Sequence, residues 1–203
     1  MKSLSEIETV SKRATKAAGF SWGVAEEVGK NIRIIEMYGL PGIKNLNDYF
    51  KKKKETNFEN LNLINTNNKS VKSKICPIIA GINFLDQIKT LEVLNEIKFE
   101  KIGYPLLFLP FLSRGSEVVG KRIFVKFDEK EFLLNFNNNI YSNFLDNEII
   151  LLAQNVSVKF IDNSDSFTEN EWHELYKLSE NTFVEESETL KNKGAGAGLT
   201  DND

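Results

Sequence analysis

Several residue types that usually carry chemistry are scarce here. The 203 residues include one cysteine, one histidine, two tryptophans and only four arginines, against 22 lysines. A single cysteine, Cys76, rules out an internal disulfide and suits a reducing compartment. One cysteine and one histidine, His173, together exclude an ordinary structural zinc site, which needs four such ligands. There is no basic excess. Net charge is −3 and the isoelectric point is near 5.5, the wrong sign for a protein that displaces counterions from phosphates. The one basic block, Lys51 to Lys54, reads as the solvated end of a helix. No run approaches the ~18 apolar residues of a membrane span. The stretch after Met1 and Lys2 reads as an amphipathic helix and not as the apolar core of a signal peptide. The expectation is a cytoplasmic protein with neither a nucleic-acid nor a membrane partner.

What is present is ample core material: 41% hydrophobic residues, among them 15 phenylalanines. This predicts one globular domain over residues 1–203. Ser3 and Glu6 form a capping-box pattern, and Leu4, Ile7, Val10, Ala14 and Ala17 repeat on one helical face. Gly19 is placed to end that helix, and Ser21 to cap a second from Trp22 to about Tyr38. A short third helix is expected over Ile43 to Lys53, so that residues 1–53 form a helical hairpin and its short neighbour. Residues 55–74 are loop-like in composition. Strands are expected at "ICPIIAG", "YPLLFLPFL", "KRIFVKF", "EFLLNF", "EIILLA" and "VSVKFI", within a sheet region over 75–161, with a helix over Leu85 to Leu94. The tight spacing favours hairpins. A second capping box, Thr168 and Glu171, opens a C-terminal helix over 168–192 with Trp172, Leu175 and Leu178 on one face, followed by a glycine-rich tail over 193–203. The predicted class is α+β: an N-terminal helical hairpin, a central mostly antiparallel sheet, and a C-terminal helix with its tail.

Lysine, asparagine and isoleucine dominate as they do under an AT-rich codon bias, which depletes alanine and glycine. Yet nine of the 20 alanines and glycines lie between Ala14 and Gly42, and five lie between Gly194 and Gly198. Small residues kept there against drift imply close backbone approach or special dihedrals. These two segments also carry a resemblance. "AAGFSWGVAEEVGK" and "GAGAGLTDND" resemble a bacterial family catalogued only as a domain of unknown function, with an N-terminal WG-x-AEE-x-G helix and a C-terminal GAGAG-x-x-DND tail. Weaker echoes fall at "CPIIAG" and "YPLLFLPFLSRG". The family's tyrosine, proline and Ser-Arg pair before the tail are replaced here by Phe183, Glu185 and Leu190–Lys191. The resemblance locates a site and implies no reaction.

Candidate site residues come from these segments. Gly194, Gly196 and Gly198 could form a nest of converging N–H groups for an anion, although they lack the strand-to-helix setting of a dinucleotide fingerprint. Asp201 and Asp203 add oxygen ligands at the tip, at a spacing that matches no established cation loop. Arg114 stands out in a chain that uses lysine by default: a guanidinium offers a planar two-point fork for carboxylate or phosphate, or else a structural ion pair. Glu26 and Glu27 are candidate general bases, or plain first-turn carboxylates favoured by the helix dipole. Trp22 completes the set. Cys76 and His173 read as a buried inert thiol and a surface imidazole.

Two functions compete. One is a small-molecule site between the N-terminal hairpin and the tail, in an enzyme or binding protein that takes an anionic ligand. The other is a non-catalytic accessory or oligomer-forming subunit whose tail docks into a partner. A concave pocket with convergent Arg and Glu favours the first, and exposed apolar surface favours the second. No motif specifies a cofactor or a metal, and a homo-oligomer is compatible with either. Because soft ligands are almost absent, protein purified without chelator is expected to carry no stoichiometric zinc or iron by elemental analysis. Stoichiometric zinc would overturn the inert reading of Cys76 and His173.

Overall fold

The computed structural model describes residues 2–70, 73–144 and 146–183. The chain divides into two compact units, Met1–Asn163 and Ser164–Asp203. The first unit opens with three helices, α1 (Leu4–Ala17), α2 (Trp22–Met37) and α3 (Gly42–Lys53). Their ends match the sequence signals. The Ser3–Glu6 capping box starts α1, Ser21 accepts from the Val24 amide to start α2, and Gly19 and Gly39 leave these helices with φ of +96° and +73°. Short strands β1 (Phe58–Glu59), β2 (Asn67–Asn68) and β3 (Lys74–Ile75) lead to helices α4 (Pro77–Asp86) and α5 (Ile88–Leu91). Strand β4 (Ile97–Gly103), a 3₁₀ turn over Pro105–Leu107 and helix α6 (Leu109–Val119) come next. The meander β5 (Arg122–Phe127), β6 (Lys130–Asn135) and β7 (Asn139–Ser142), then β8 (Leu152–Ile161), complete the unit.

Among the described residues these strands form one mixed, mostly antiparallel sheet in the order β1-β3-β4-β8-β5-β6-β7, with β2 also pairing β4. The fold is α+β. Parallel pairing is confined to the two-residue strands: β1 with β3, and β2 and β3 with β4. Strand β5 shows how the sheet is used. Ile123, Val125 and Phe127 point into the core, and Arg122, Phe124 and Lys126 stay half-exposed on the other face. That period-2 alternation is what a sheet with one packed and one solvated face requires. The helices cover the packed face: Ile32, Ile35, Phe84, Leu106 and Leu112 share one core with Phe99, Val125 and Val158. No helix among the described residues is long and apolar enough to cross a membrane.

Two expected strands are helices. In "ICPIIAG" the strand is only Lys74–Ile75, and Pro77 sits at the first turn of α4 with Cys76 as its N-cap residue. "YPLLFLPFL" becomes the 3₁₀ turn and α6, with Pro105 and Pro110 in their first turns. Proline lacks the N–H a ladder needs and suits the start of a helix, where that donor has no partner anyway. The continuous apolar run that resembled a buried strand is a helix buried nearly all round. The helix expected over Leu85–Leu94 is the end of α4 plus α5, broken at Gln87. Of "EIILLA" only Leu152 and Ala153 are strand, continuous with "VSVKFI", and β7 was not anticipated. Arg114, which follows the expected strand "YPLLFLPFL", lies in α6.

Helix α1 also turns an unexpected face inward. Its buried residues are Ser11 and Thr15, while Leu4, Val10, Ala14 and Ala17 are exposed. The helix approaches α2 closely at Gly29, where a Cβ would lie 2.8 Å from the Glu8 carbonyl oxygen and 3.0 Å from Lys12 Cβ. Gly29 therefore meets Glu8 and Lys12, not the alanines near the end of α1.

In the second unit, helix α7 (Glu169–Glu180) opens with the expected Thr168–Glu171 capping box, and all its described residues are exposed. The expected extension of this helix to residue 192, and the tail with Gly194, Gly196, Gly198, Asp201 and Asp203, lie outside the described residues.

Two glycine substitutions should separate packing from propensity. A Cβ on residue 81 would fall 2.1 Å from Phe111 Cδ2, so Gly81→Ala is expected to destabilise the fold by about 1–3 kcal/mol. A Cβ on residue 23 would meet nothing within 4 Å, so Gly23→Ala is expected to stabilise α2 by about 0.5 kcal/mol. Urea denaturation of the two variants checks both signs.

Candidate functional site

Glu27, Asn31 and Tyr38 recur at intervals of four and seven residues, so they share one face of α2. Opposite them α6 presents Ser113 and Arg114. The result is a polar seam between the facing sides of two helices. Arg114 Nη1 donates to Glu27 Oε2 at 2.5 Å and to Asn31 Oδ1 at 3.2 Å, and Lys30 Nζ lies 3.1 Å from Glu27 Oε1. Further along, Tyr38 Oη and Ser113 Oγ are 2.9 Å apart, and Ser113 Oγ donates to Asn137 Oδ1 at 3.0 Å. A hydroxyl carries one proton, so the consistent chain is Tyr38 to Ser113 to Asn137. Asn137 reaches the seam from the β6–β7 turn, where Phe136 and Asn137 both have positive φ, 51° and 58°.

The electrostatics favour a clamp. Partial burial raises the Glu27 pKa, but hydrogen bonds and charge from Arg114 and then Lys30 outweigh it and leave the carboxyl below its ordinary value. A carboxylate held charged in this way is a poorer proton acceptor than a free one. Tyr38 is shifted up by burial, with the Glu117 charge adding to the rise, so its hydroxyl stays protonated and can donate. Asn31 is 2% exposed, and its Nδ2 has no hydrogen-bond partner. Its Oδ1 must face the guanidinium, which leaves the amide nitrogen without an acceptor.

The other sequence candidates are scattered. Trp22, 58% exposed, begins α2 with Lys16 Nζ 5.5 Å from its ring centroid. Glu26 is exposed and faces Lys12 and Lys30 at 3.8 and 3.9 Å. So the fold brings Glu27 and Arg114 together and leaves Trp22 and Glu26 on the surface. Cys76 is 2% exposed and 3.2 Å from Tyr49 Oη, and burial pushes its thiol pKa up, which keeps it protonated and unreactive. His173 is on α7 in the second unit, exposed. Among the described residues no group of three or more His, Cys, Asp and Glu is placed to hold a metal ion.

A shallow cleft of about 580 Å³ lies elsewhere, on the open face of the sheet, where Lys69, Lys98, Lys126 and Asn155 are among the lining residues. Its lysines are already paired: Lys69 with Glu100 and Lys126 with Glu131 at 2.7 Å, and Lys98 with Glu96 at 3.2 Å. Sequence reading missed Asn31, Tyr38, Ser113 and Asn137. The α2 spacing was available as a signal. Asn137 was not, because it depends on a turn between strands, one of which was itself unforeseen.

The lowered Glu27 pKa fixes the sign of a pH effect. Its contribution is complete above the unfolded carboxyl pKa of about 4.3 and is lost as pH falls through the lower folded value. Glu27→Gln is expected to be less stable than the wild type at pH 7 by about 1 kcal/mol, a modest value because the pair is a quarter exposed. The difference should close as the pH falls below about 4. Thermal melts from pH 7 to pH 3 test this, and a gap that does not change with pH would mean that the pair adds nothing.

No curated protein and no solved structure matches the chain. Residues 2–75 match a family described as "Protein of unknown function (DUF3726)", a segment that spans α1 to β3 and so contains Trp22, Glu26 and Glu27 but not Arg114.

Proposed function

We propose that this chain is a non-catalytic accessory subunit acting in the cytoplasm, in which α7 docks into an apolar groove of a partner protein. The observation that carries this reading is the construction of α7. Thr168 and Glu171 exchange capping-box hydrogen bonds, and Phe167 stacks on Trp172 with ring centroids 5.6 Å apart. A capping box with a hydrophobic staple starts a helix from local sequence alone. Yet a helix of 12 residues is marginal in water without packing, and no described residue of α7 is buried. Trp172, Leu175 and Leu178 lie along one side with Tyr176 beside Trp172, and the four are 46–65% exposed. Carboxylates dominate the rest: Glu169, Glu171, Glu174 and Glu180 against Lys177. An apolar stripe with an acidic rim suits a groove edged by lysine or arginine, the helix-in-groove mode of recognition. Like charge disfavours pairing of α7 with itself. Mutual neutralisation of Arg114 and Glu27 supports the non-catalytic part.

A second reading, an anionic small-molecule site at Arg114, is favoured by one feature. Among the described residues only Nη1 of its guanidinium makes hydrogen bonds, so Nε and Nη2 remain available to a ligand.

Placing a photo-reactive residue at position 178 of the full-length chain, in the cells that produce it, tests the docking reading. The expected outcome is a crosslink to one protein other than the chain itself. Leu175→Glu in the same chain should remove that crosslink and leave the melting temperature unchanged. Adducts spread over many proteins and indifferent to Leu175→Glu would show that the face is merely exposed.

A further inference from the structure

The two ends of the sheet are protected differently. One end is β1, only the two residues Phe58 and Glu59, and a strand so short gives another chain little to pair with. The other is β7, Asn139–Ser142, which pairs β6 and has no further strand beside it among the described residues. Asn143 donates its amide to the Glu131 carbonyl, so by strand alternation Asn139 and Tyr141 also turn their backbone groups towards β6. The amide and carbonyl of Ile140 and of Ser142 therefore point away from the sheet. Edges are usually guarded by lysine, proline or a bulge. Strand β7 has none of these, and its register with β6 runs unbroken. Phe132 to Leu145 is the longest uncharged run in the sequence, 14 residues in a chain that is 27% charged. The next longest, Ile102 to Ser113, is buried throughout, whereas Asn138, Asn139, Tyr141 and Asn143 are exposed.

We propose that β7 pairs antiparallel with β7 of a second copy, about a two-fold axis normal to the sheet at Tyr141, so that one sheet runs through both chains. The choice of a second copy rests on β7 matching itself in charge, hydrogen bonds and side chains. A two-fold axis sets the residue on it against its own copy, so a charged edge repels itself and an uncharged one does not. The outward groups select the register. With the axis at Tyr141, Ile140 of each copy exchanges both backbone hydrogen bonds with Ser142 of the other, and every outward group of β7 is satisfied. An axis at Ile140 would set Ser142 against Asn138, whose amide already donates to Asn135. An axis at Ser142 would set Ile140 against Phe144, whose amide already donates to Ser142 Oγ. The chosen register brings the two Tyr141 rings together in a non-hydrogen-bonded pair, the closer kind. Tyr141 is 61% exposed and ends a cross-strand row with Leu133 and Phe124, both half-buried on the open face. The paired rings thus carry an apolar strip across the axis. Head-to-tail pairing of β7 with β1 would rest on two residues, one of them Glu59. This interface does not involve α7 or the docking read from it.

Light scattering on the full-length chain is expected to give twice the chain mass of 23.1 kDa. Under oxidising conditions Tyr141→Cys should form a disulfide-linked dimer, because the two Cα atoms would lie about 4.5 Å apart. Asn139→Cys, exposed on the same face, should not, since the two copies of that residue would be about 13 Å apart along the strands. Cys76 is buried and out of reach. Tyr141→Lys and Tyr141→Glu alter an exposed side chain, so each should leave the fold intact by circular dichroism. Each alone sets like charges face to face at the axis and should raise the dimer dissociation constant about tenfold. An equimolar mixture of the two variants should restore the dimer, because opposite charges then meet. A mass of 23.1 kDa at every concentration would overturn the proposal. So would equal crosslinking at positions 139 and 141, a mixture no tighter than either variant alone, or a dimer lost only on Leu175→Glu.

Discussion

The helix layer rests on the sheet through a contact that residue 81 permits by having no side chain. The Phe111 ring occupies the space where a Cβ would project from α4, and this lets α4 and α6 approach closely. From there the chain of support is short. Phe84 of α4 meets Phe108 edge to face at the entry to α6, and Phe108 meets Phe99 of β4 in the same way. Gly115, one turn beyond Phe111, lies against Phe84 and Ile88. The seating of α6 sets the positions of Ser113 and Arg114, and hence of the whole polar seam with α2. A shift there would move the guanidinium away from Glu27 and Asn31.

That seam gives the two helices a register. Hydrophobic burial is non-directional and allows α2 and α6 to slide past one another, whereas a guanidinium between a carboxylate and an amide oxygen does not. Asn31 illustrates the compromise. Its oxygen is committed to Arg114, and its buried Nδ2 goes without an acceptor, a cost of about 1–3 kcal/mol carried by the surrounding core. A second buried polar contact, Tyr104 Oη to Asp48 at 2.6 Å, anchors the left-handed turn at Tyr104 that redirects the chain from β4 into α6.

Exposed apolar surface is densest on α7, where Trp172, Leu175, Tyr176 and Leu178 follow Phe167 closely in sequence. On α7 it results from local chemistry, since a capping box and a staple form the helix without help from a core. The largely acidic rim of that face opposes its pairing with a second copy of itself.

The amino-acid sequence by itself determined what depends on neighbours a few residues apart. The capping boxes at Ser3 and Thr168, the glycine exits at Gly19 and Gly39, the alternation in β5 and β6 and the burial of Cys76 are all of this kind. The α+β class comes from the same local signals. Two long-range decisions were different. An apolar run such as Tyr104–Leu112 has no period from which to choose strand or helix, and only its place in the core, together with its two prolines, made it a helix. Which side of α1 faces inward depended on its packing against α2, not on where its leucine and valine fall. The meeting of Arg114 with Glu27 across 87 positions, and of Ser113 with Asn137, belongs wholly to the tertiary structure, because residue spacing along a chain carries no record of which helix faces which.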